Sequence, residues 1–143
     1  MSSQTPLING TRHSWASIEI EILGRTVQGV TAISYSETQN KENIYGAGKY
    51  PVARGRGNYE ATASVTLLGF EVDAIQRAVG AQKHLSDIET FDIVVAYLPD
   101  GQDALVTHTL RNCEFKDNKR EMSQGDSSVS VALELIVSHI DWI

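Results

Sequence analysis

Hydrophobic and polar residues alternate strictly over residues 16–22. Ala16, Ile18, Ile20 and Ile22 fall on one side, Ser17, Glu19 and Glu21 on the other. That period predicts a half-buried β-strand. Leu23-Gly24-Arg25 follows as a tight turn, with Gly24 free to take positive φ. The next run, Thr26 to Glu37, sets Val27, Thr31, Ile33 and Tyr35 on one face. Gly29 in its middle predicts a bulge or a close backbone neighbour, and the two runs together make a hairpin.

Tyr59, Ala61, Ala63, Val65 and Leu67 alternate with Glu60, Thr62, Ser64 and Thr66 in a third strand. The period then changes from 2 to 3.6. In "GFEVDAIQRAVG" a ridge of Phe70, Ala74 and Ala78 is flanked by Val72, Ile75 and Val79. This predicts one short helix whose core residues are Phe70, Ala74, Ile75, Ala78 and Val79, closed by Gly80. After the connector "AQKHLSDIET", Phe91, Ile93, Val95 and Tyr97 alternate with Val94, Ala96 and Leu98, a strand covered on both faces. "PDGQD" turns the chain into a strand over 104–115, and the charged loop "KDNKREMSQGDSS" leads to a last strand carrying Val129, Val131, Leu133, Leu135 and Val137. The closing "HIDWI" is too apolar for a free tail, so Trp142 and Ile143 are expected to dock on this subunit or on a neighbour. The fold class is α+β, mostly β: an antiparallel sandwich or barrel with one short helix and a long extended loop between strands 2 and 3.

That loop, 38–58, breaks the pattern. It holds glycines, a proline, tyrosines and basic residues where neither period continues. Loops of this length are uncommon in a compact domain and are usually functional or disordered. Residues 38–60 carry Lys41, Lys49, Arg54 and Arg56 against Glu42 and Glu60, a net +2 in a chain of net charge −6. A basic segment on an acidic body suits association of identical copies, and the overall charge disfavours general affinity for nucleic acid or anionic membrane. The 143 residues are expected to form a single domain, 1–143, with 1–14 as an N-terminal arm. The polar N-terminus lacks the apolar stretch of a signal peptide, no run is long enough to span a membrane, and Cys113 alone builds no disulfide framework.

Candidate chemistry is thin. Gly48-Lys49 is followed by Tyr50 where a P-loop requires Ser or Thr, and neither glycine pair completes a dinucleotide fingerprint. "RGRG" at 54–57, near Tyr45, Tyr50 and Tyr59, has the elements of a nucleic-acid patch, but two arginines supply few phosphate contacts. Carboxylates of a neighbour are the better partners. His13, His84, His108 and His139 are scattered without metal-ligand spacing, and Cys113 sits on a strand face where a thiol is buried and inert. Glu19 and Glu21 read as plain strand surface. No catalytic, cofactor-binding or metal-binding residue emerges.

The segment "GVTAISYSETQNKENIYGAGKYPVARGRGNYEATASVTLLGFEVDAIQRA" resembles the tail tube proteins of tailed bacteriophages with contractile-type tails: a strand, a long loop, a strand, a short helix. "CEFKDNKREMSQGDSSVSVALELIVSHIDW" is similar to that family's closing strand, charged loop and long alternating strand. Tubes of type VI secretion and of phage-like injection particles share the fold. The resemblance implies a structural virion protein, not an enzyme, with no cofactor. Hexameric rings would stack into the inner tail tube through which DNA passes into the host. It implies as partners the protein itself, tail sheath, baseplate and tail-terminator proteins, with no membrane and no specific DNA binding. The subunit would be assembled in the host cytoplasm and reside in the virion. A tube-initiator ring of a baseplate, or a tube of a secretion or injection system, is the alternative. Carried over to this chain, the inter-ring loop is 38–58, with Lys41, Tyr45, Lys49, Tyr50, Arg54, Arg56 and Tyr59 as contacts. Glu19, Glu21, Glu60, Thr62, Ser64 and Thr66 are the expected lumen-facing residues, because a hydroxyl-lined or acidic wall does not hold a polyanion.

Overall fold

The computed structural model describes residues 6–13, 16–22, 25–99, 104–120 and 129–143. Gly24 of the predicted turn, most of "PDGQD", the far half of the charged loop and the start of the N-terminal arm lie outside the described residues. The strands are β1 (Leu7–Ile8), β2 (Thr11–Arg12), β3 (Ala16–Ile22), β4 (Arg25–Val27), β5 (Val30–Tyr45), β6 (Pro51–Leu68), β7 (Phe91–Tyr97), β8 (Val106–Phe115), β9 (Ser130–Val137) and β10 (His139–Asp141). One helix, α1 (Gly69–Val79), follows β6.

All strands join in one sheet of order β2-β1-β5-β6-β9-β8-β7-β3-β4, with β10 added to β8. Among the described residues every pairing is antiparallel except β1 on β5. The β8–β9 junction is short, Glu114 opposite Ile136 and Phe115 opposite Leu135, and here the sheet folds on itself. Ile33, Val65, Leu67, Leu133 and Leu135 from one half meet Ile20, Ile93, Val95 and Leu110 from the other in a single apolar cluster. Their alternation with exposed polar residues is what lets one sheet supply both layers.

The predicted second strand is two strands. Gly29 takes φ +77°, its carbonyl accepts from Leu68 N–H at 3.0 Å, and the chain passes from β4 in one layer to β5 in the other. The connector after α1 holds a short 3₁₀ turn, Leu85–Asp87, that buries Leu85 and Ile88. Cys113 is fully buried, and burial pushes its thiol up to about 12, so it is inert as expected.

The helix is rotated relative to expectation. Glu71, Val72 and Ile75 are buried, Ala74 is half-buried and Val79 packs on the core, whereas Phe70 is 63% exposed and Ala78 faces solvent. The core-facing stripe is Val72, Ile75 and Val79 at helical spacing, and Glu71 lies inward beside it, its carboxylate 2.7 Å from the Arg25 guanidinium of β4, which compensates its burial. An acid in the first turn also suits the positive end of the helix dipole.

Candidate functional site: a projecting hairpin arm

The long loop expected over 38–58 is instead two strands. β5 and β6 run antiparallel from the core outward, Ile33 opposite Val65, Thr38 opposite Glu60, Ile44 opposite Ala53 and Tyr45 opposite Pro51, with shifts of register between Gln39 and Lys41 and between Ile44 and Tyr45. Only Gly46–Tyr50 turn the chain. From Ser36 to Glu60 every residue is exposed apart from half-buried Gly55. At about 3.3 Å per residue, Ser36 to Tyr45 extends about 30 Å. The alternation ended in the sequence because this ribbon has no buried face, not because the strands end.

The arm has three zones. At its root, Tyr59 Oη donates to a Glu37 carboxylate oxygen and accepts from Ile140 N–H at 3.3 Å. Burial first, then the hydrogen bond to Glu37, raises the Tyr59 phenol above its usual value. Tyr59, expected among the inter-ring contacts, is therefore engaged within its own chain. Just beyond lies a bulge: Gln39 faces Tyr59, but Lys41 faces Arg56, so β6 carries one extra residue. A Cβ at Gly57 would stand 3.0 Å from the Asn40 Cβ, which explains glycine there.

The middle zone is basic on one face. Lys41 sits directly opposite Arg56, and Asn43 opposite Arg54, whose Nε donates to Asn43 Oδ1 at 3.3 Å. Like charges directly opposed across a strand pair are destabilising. Among the described residues, Lys41, Lys49, Arg54 and Arg56 form no ion pair with a carboxylate of the chain. The other face carries Glu42, Ile44 and Ala53, with Ile44 leaning toward Gly55.

The tip is apolar: Ile44, Tyr45, Tyr50 and Val52 are all exposed, Tyr50 at 74%, with Lys49 Nζ 5.7 Å from the Tyr50 ring centroid. Ile44 and Val52 were absent from the sequence-based list. The available signal for a hairpin end was the pair Tyr45 and Tyr50 around "GAGK", with Ile44 and Val52 close on either side.

The residues expected to line a lumen separate. Thr62, Ser64 and Thr66 lie on the outer side of β6, beside Ser34 and Ser36 of β5 and Glu134 of β9; Asn9 and Lys116 border the same concave surface. Glu60 continues this row at the arm root. Glu19 and Glu21 lie on the outer side of β3 with Thr26, Asp92 and Val94, in the other layer. The two sets point away from the common core in different directions, so a single subunit presents the six on two surfaces. A single alternation rule marks residues as outward but does not say from which layer.

Three of the histidines are strand-end or ring-packing residues. His13 stacks on Tyr97 at 4.3 Å, His108 is buried against Tyr35, and His139 lies 3.9 Å from Asp141. Among the described residues no group of three or more His, Cys, Asp or Glu side chains is placed to hold a metal ion. No described helix is long and apolar enough to cross a membrane.

No protein-family model and no curated protein matches the chain. Solved structures do. A chain of the sheath–tube complex of PVC, an extracellular contractile injection system in its extended state, superposes with TM-score 0.58 at 11% identity, covering 88% of each chain. A chain of the anti-feeding prophage cap, the tube terminating cap, gives 0.59 at 12% identity, covering 99% of this chain and 93% of that one. The fold is the tail-tube fold. The same architecture recurs in the six-fold symmetrised anti-feeding prophage baseplate, with TM-score 0.52, 11% identity and coverage of 99% and 96%. At 11–12% identity the likeness is one of fold.

Proposed function

We propose that the chain is a tube subunit of a contractile, phage-like tail assembly, polymerising as stacked rings around a channel. The observation that carries this reading is the arm. A two-stranded ribbon about 30 Å long, exposed on both faces, is at best marginally stable alone in water. Its apolar tip and its unpaired basic face require a surface that the chain does not itself supply. A second copy supplies it: the body is acidic where the arm is basic, and one arm reaching one neighbouring ring repeats without limit.

Sheet borders support the same reading. β1 covers β5 at Ala32 and Ile33 and the Asn9 side chain accepts from the Tyr35 N–H, so among the described residues the backbone from Ser36 outward is an open edge, as is Ala16–Glu19 of β3 beside the short β4. Long open edges are an aggregation hazard unless neighbours complete them. In this reading the hydroxyl row Ser34, Ser36, Thr62, Ser64 and Thr66 lines the channel, since its strands run on into the arm and its neutral surface holds no polyanion such as DNA. Sheath, baseplate and terminator proteins are the expected partners, and the virion tail the expected location. The chemistry includes no catalytic step.

Replacing Lys41–Arg56 by a two-residue Asn-Gly turn tests the proposal. The variant is expected to fold with unchanged thermal stability and to form no tubes in electron micrographs; normal tubes from it would remove the arm as connector. In assembled tubes, Ser64→Cys should be shielded from a bulky maleimide and Glu19→Cys should label, and the reverse would exchange inner and outer faces. A second reading, a terminating or baseplate ring, draws on the likeness to the anti-feeding prophage cap and baseplate. It predicts single rings in the same micrographs.

A further inference from the structure

The opposite end of the chain holds the root of the arm. The Tyr35 ring of β5 lies 5.6 Å from that of Trp142 and 5.6 Å from that of His108, with Tyr35 Oη 2.6 Å from His108 Nδ1. Trp142 in turn packs 4.8 Å from His108. One step further out, the Ile140 N–H donates to Tyr59 Oη, which donates to Glu37. Both strands of the ribbon are thus gripped, β5 through Tyr35 and Glu37, β6 through Tyr59.

The tail that does the gripping has a firm footing. β10 pairs His139, Ile140 and Asp141 with Arg111, Leu110 and Thr109 of β8, and Asp141 accepts from Arg111 Nε at 2.8 Å. Arg111 also reaches Asp92 of β7 at 3.1 Å. The tail therefore ties the layer containing β7 and β8 to the ribbon leaving the other layer. Its last contact, Tyr59, is the final registered position before the bulge.

We infer that Ile140–Trp142 is a brace that fixes the arm's root, making the bulge at Gly57 the hinge about which the outer arm turns. A ribbon with a third element packed on one face resists bending; one without it does not. The brace sets the direction from which the outer arm departs, and the bulge lets the outer arm adjust. This holds for the free chain whether or not tubes form.

Amide hydrogen exchange on the free chain, at concentrations below assembly, tests it with Trp142→Ala and Tyr59→Phe. Trp142→Ala should speed exchange across Ser36–Gln39 and Glu60–Thr62 about tenfold or more, and Tyr59→Phe, which keeps the ring and deletes the bridging hydroxyl, about three- to tenfold. Exchange at Val65, Ile93 and Leu133 should stay unchanged in both. Unaltered exchange at the root would overturn the brace. A uniform rise across root and core together would also overturn it, as that marks ordinary loss of stability. Should Trp142→Ala fail to fold, Tyr59→Phe decides alone by the same criteria.

Discussion

Tyr50→Ser is the most informative single change at the arm's tip. Tyr50 is 74% exposed in the free chain, so folding does not depend on its ring, whereas the proposed contact with another copy does. An aromatic side chain buries roughly 150–250 Å², so about 150 Å² of Tyr50 remains available to a partner. At about 25 cal/mol per Å² its full burial contributes up to about 4 kcal/mol. The hydroxyl and incomplete burial reduce this to about 2 kcal/mol per contact, or about thirtyfold in dissociation constant. Serine keeps a hydroxyl and removes the ring. The assay is the critical concentration for tube formation, measured by sedimentation and light scattering. It should rise about thirtyfold while thermal stability stays within about 0.5 kcal/mol of the parent. An unchanged critical concentration, with tubes of normal appearance, would refute the claim that the tip is buried between copies.

Lys41→Glu converts the Lys41–Arg56 opposition into an opposite-charge pair. It should firm the free arm by about 0.2–1 kcal/mol, read by hydrogen exchange, yet raise the critical concentration. Tube formation by the unmodified chain should weaken as salt rises from 50 to 500 mM, and that dependence should be smaller in the variant. Arg25→Ala leaves Glu71 buried without its partner and should cost about 2 kcal/mol in urea unfolding, less than a fully buried pair because Arg25 is partly exposed. The double variant Arg25→Ala/Glu71→Gln should recover part of this. Burial holds His108 below its ordinary value, so the unfolded chain takes up a proton first as pH falls. The stability due to neutral His108 is complete above pH about 6.5 and declines as pH drops toward the lower folded value; His108→Asn should flatten that slope. A slope equal to the parent's would show that His108 is not its source.

Much of the fold was legible because most strands carry one dry face. Ile18 to Ile22, Ala61 to Leu67 and Val131 to Val137 alternate so regularly that their inward sides follow directly, and the positive φ of Gly29 sits where the pattern required a break. The arm was legible as an anomaly but not as strands. Its residues from Ser36 to Glu60 face water on both sides, and alternation reports burial, not backbone conformation. The helix face was misjudged for a related reason. Hydrophobic spacing offered both the Phe70 ridge and the Val72, Ile75 and Val79 stripe that faces the core, and the pairing of Glu71 with Arg25, distant in sequence, cannot be seen from a local period. The tail was half legible: Trp142 docks on Tyr35 and His108, while Ile143 is fully exposed in the single chain, which leaves a neighbour as its expected docking surface. Residues of like outward pattern on β3 and β6 looked equivalent until the folded sheet placed them in separate layers.

Electron microscopy of the purified chain at increasing concentration tests the central claim most directly. The account predicts hollow filaments of constant diameter above a critical concentration, in which the arm becomes resistant to cleavage after Lys49 and Arg54. A chain that stays monomeric at millimolar concentration, its arm still cut at those residues, would contradict it.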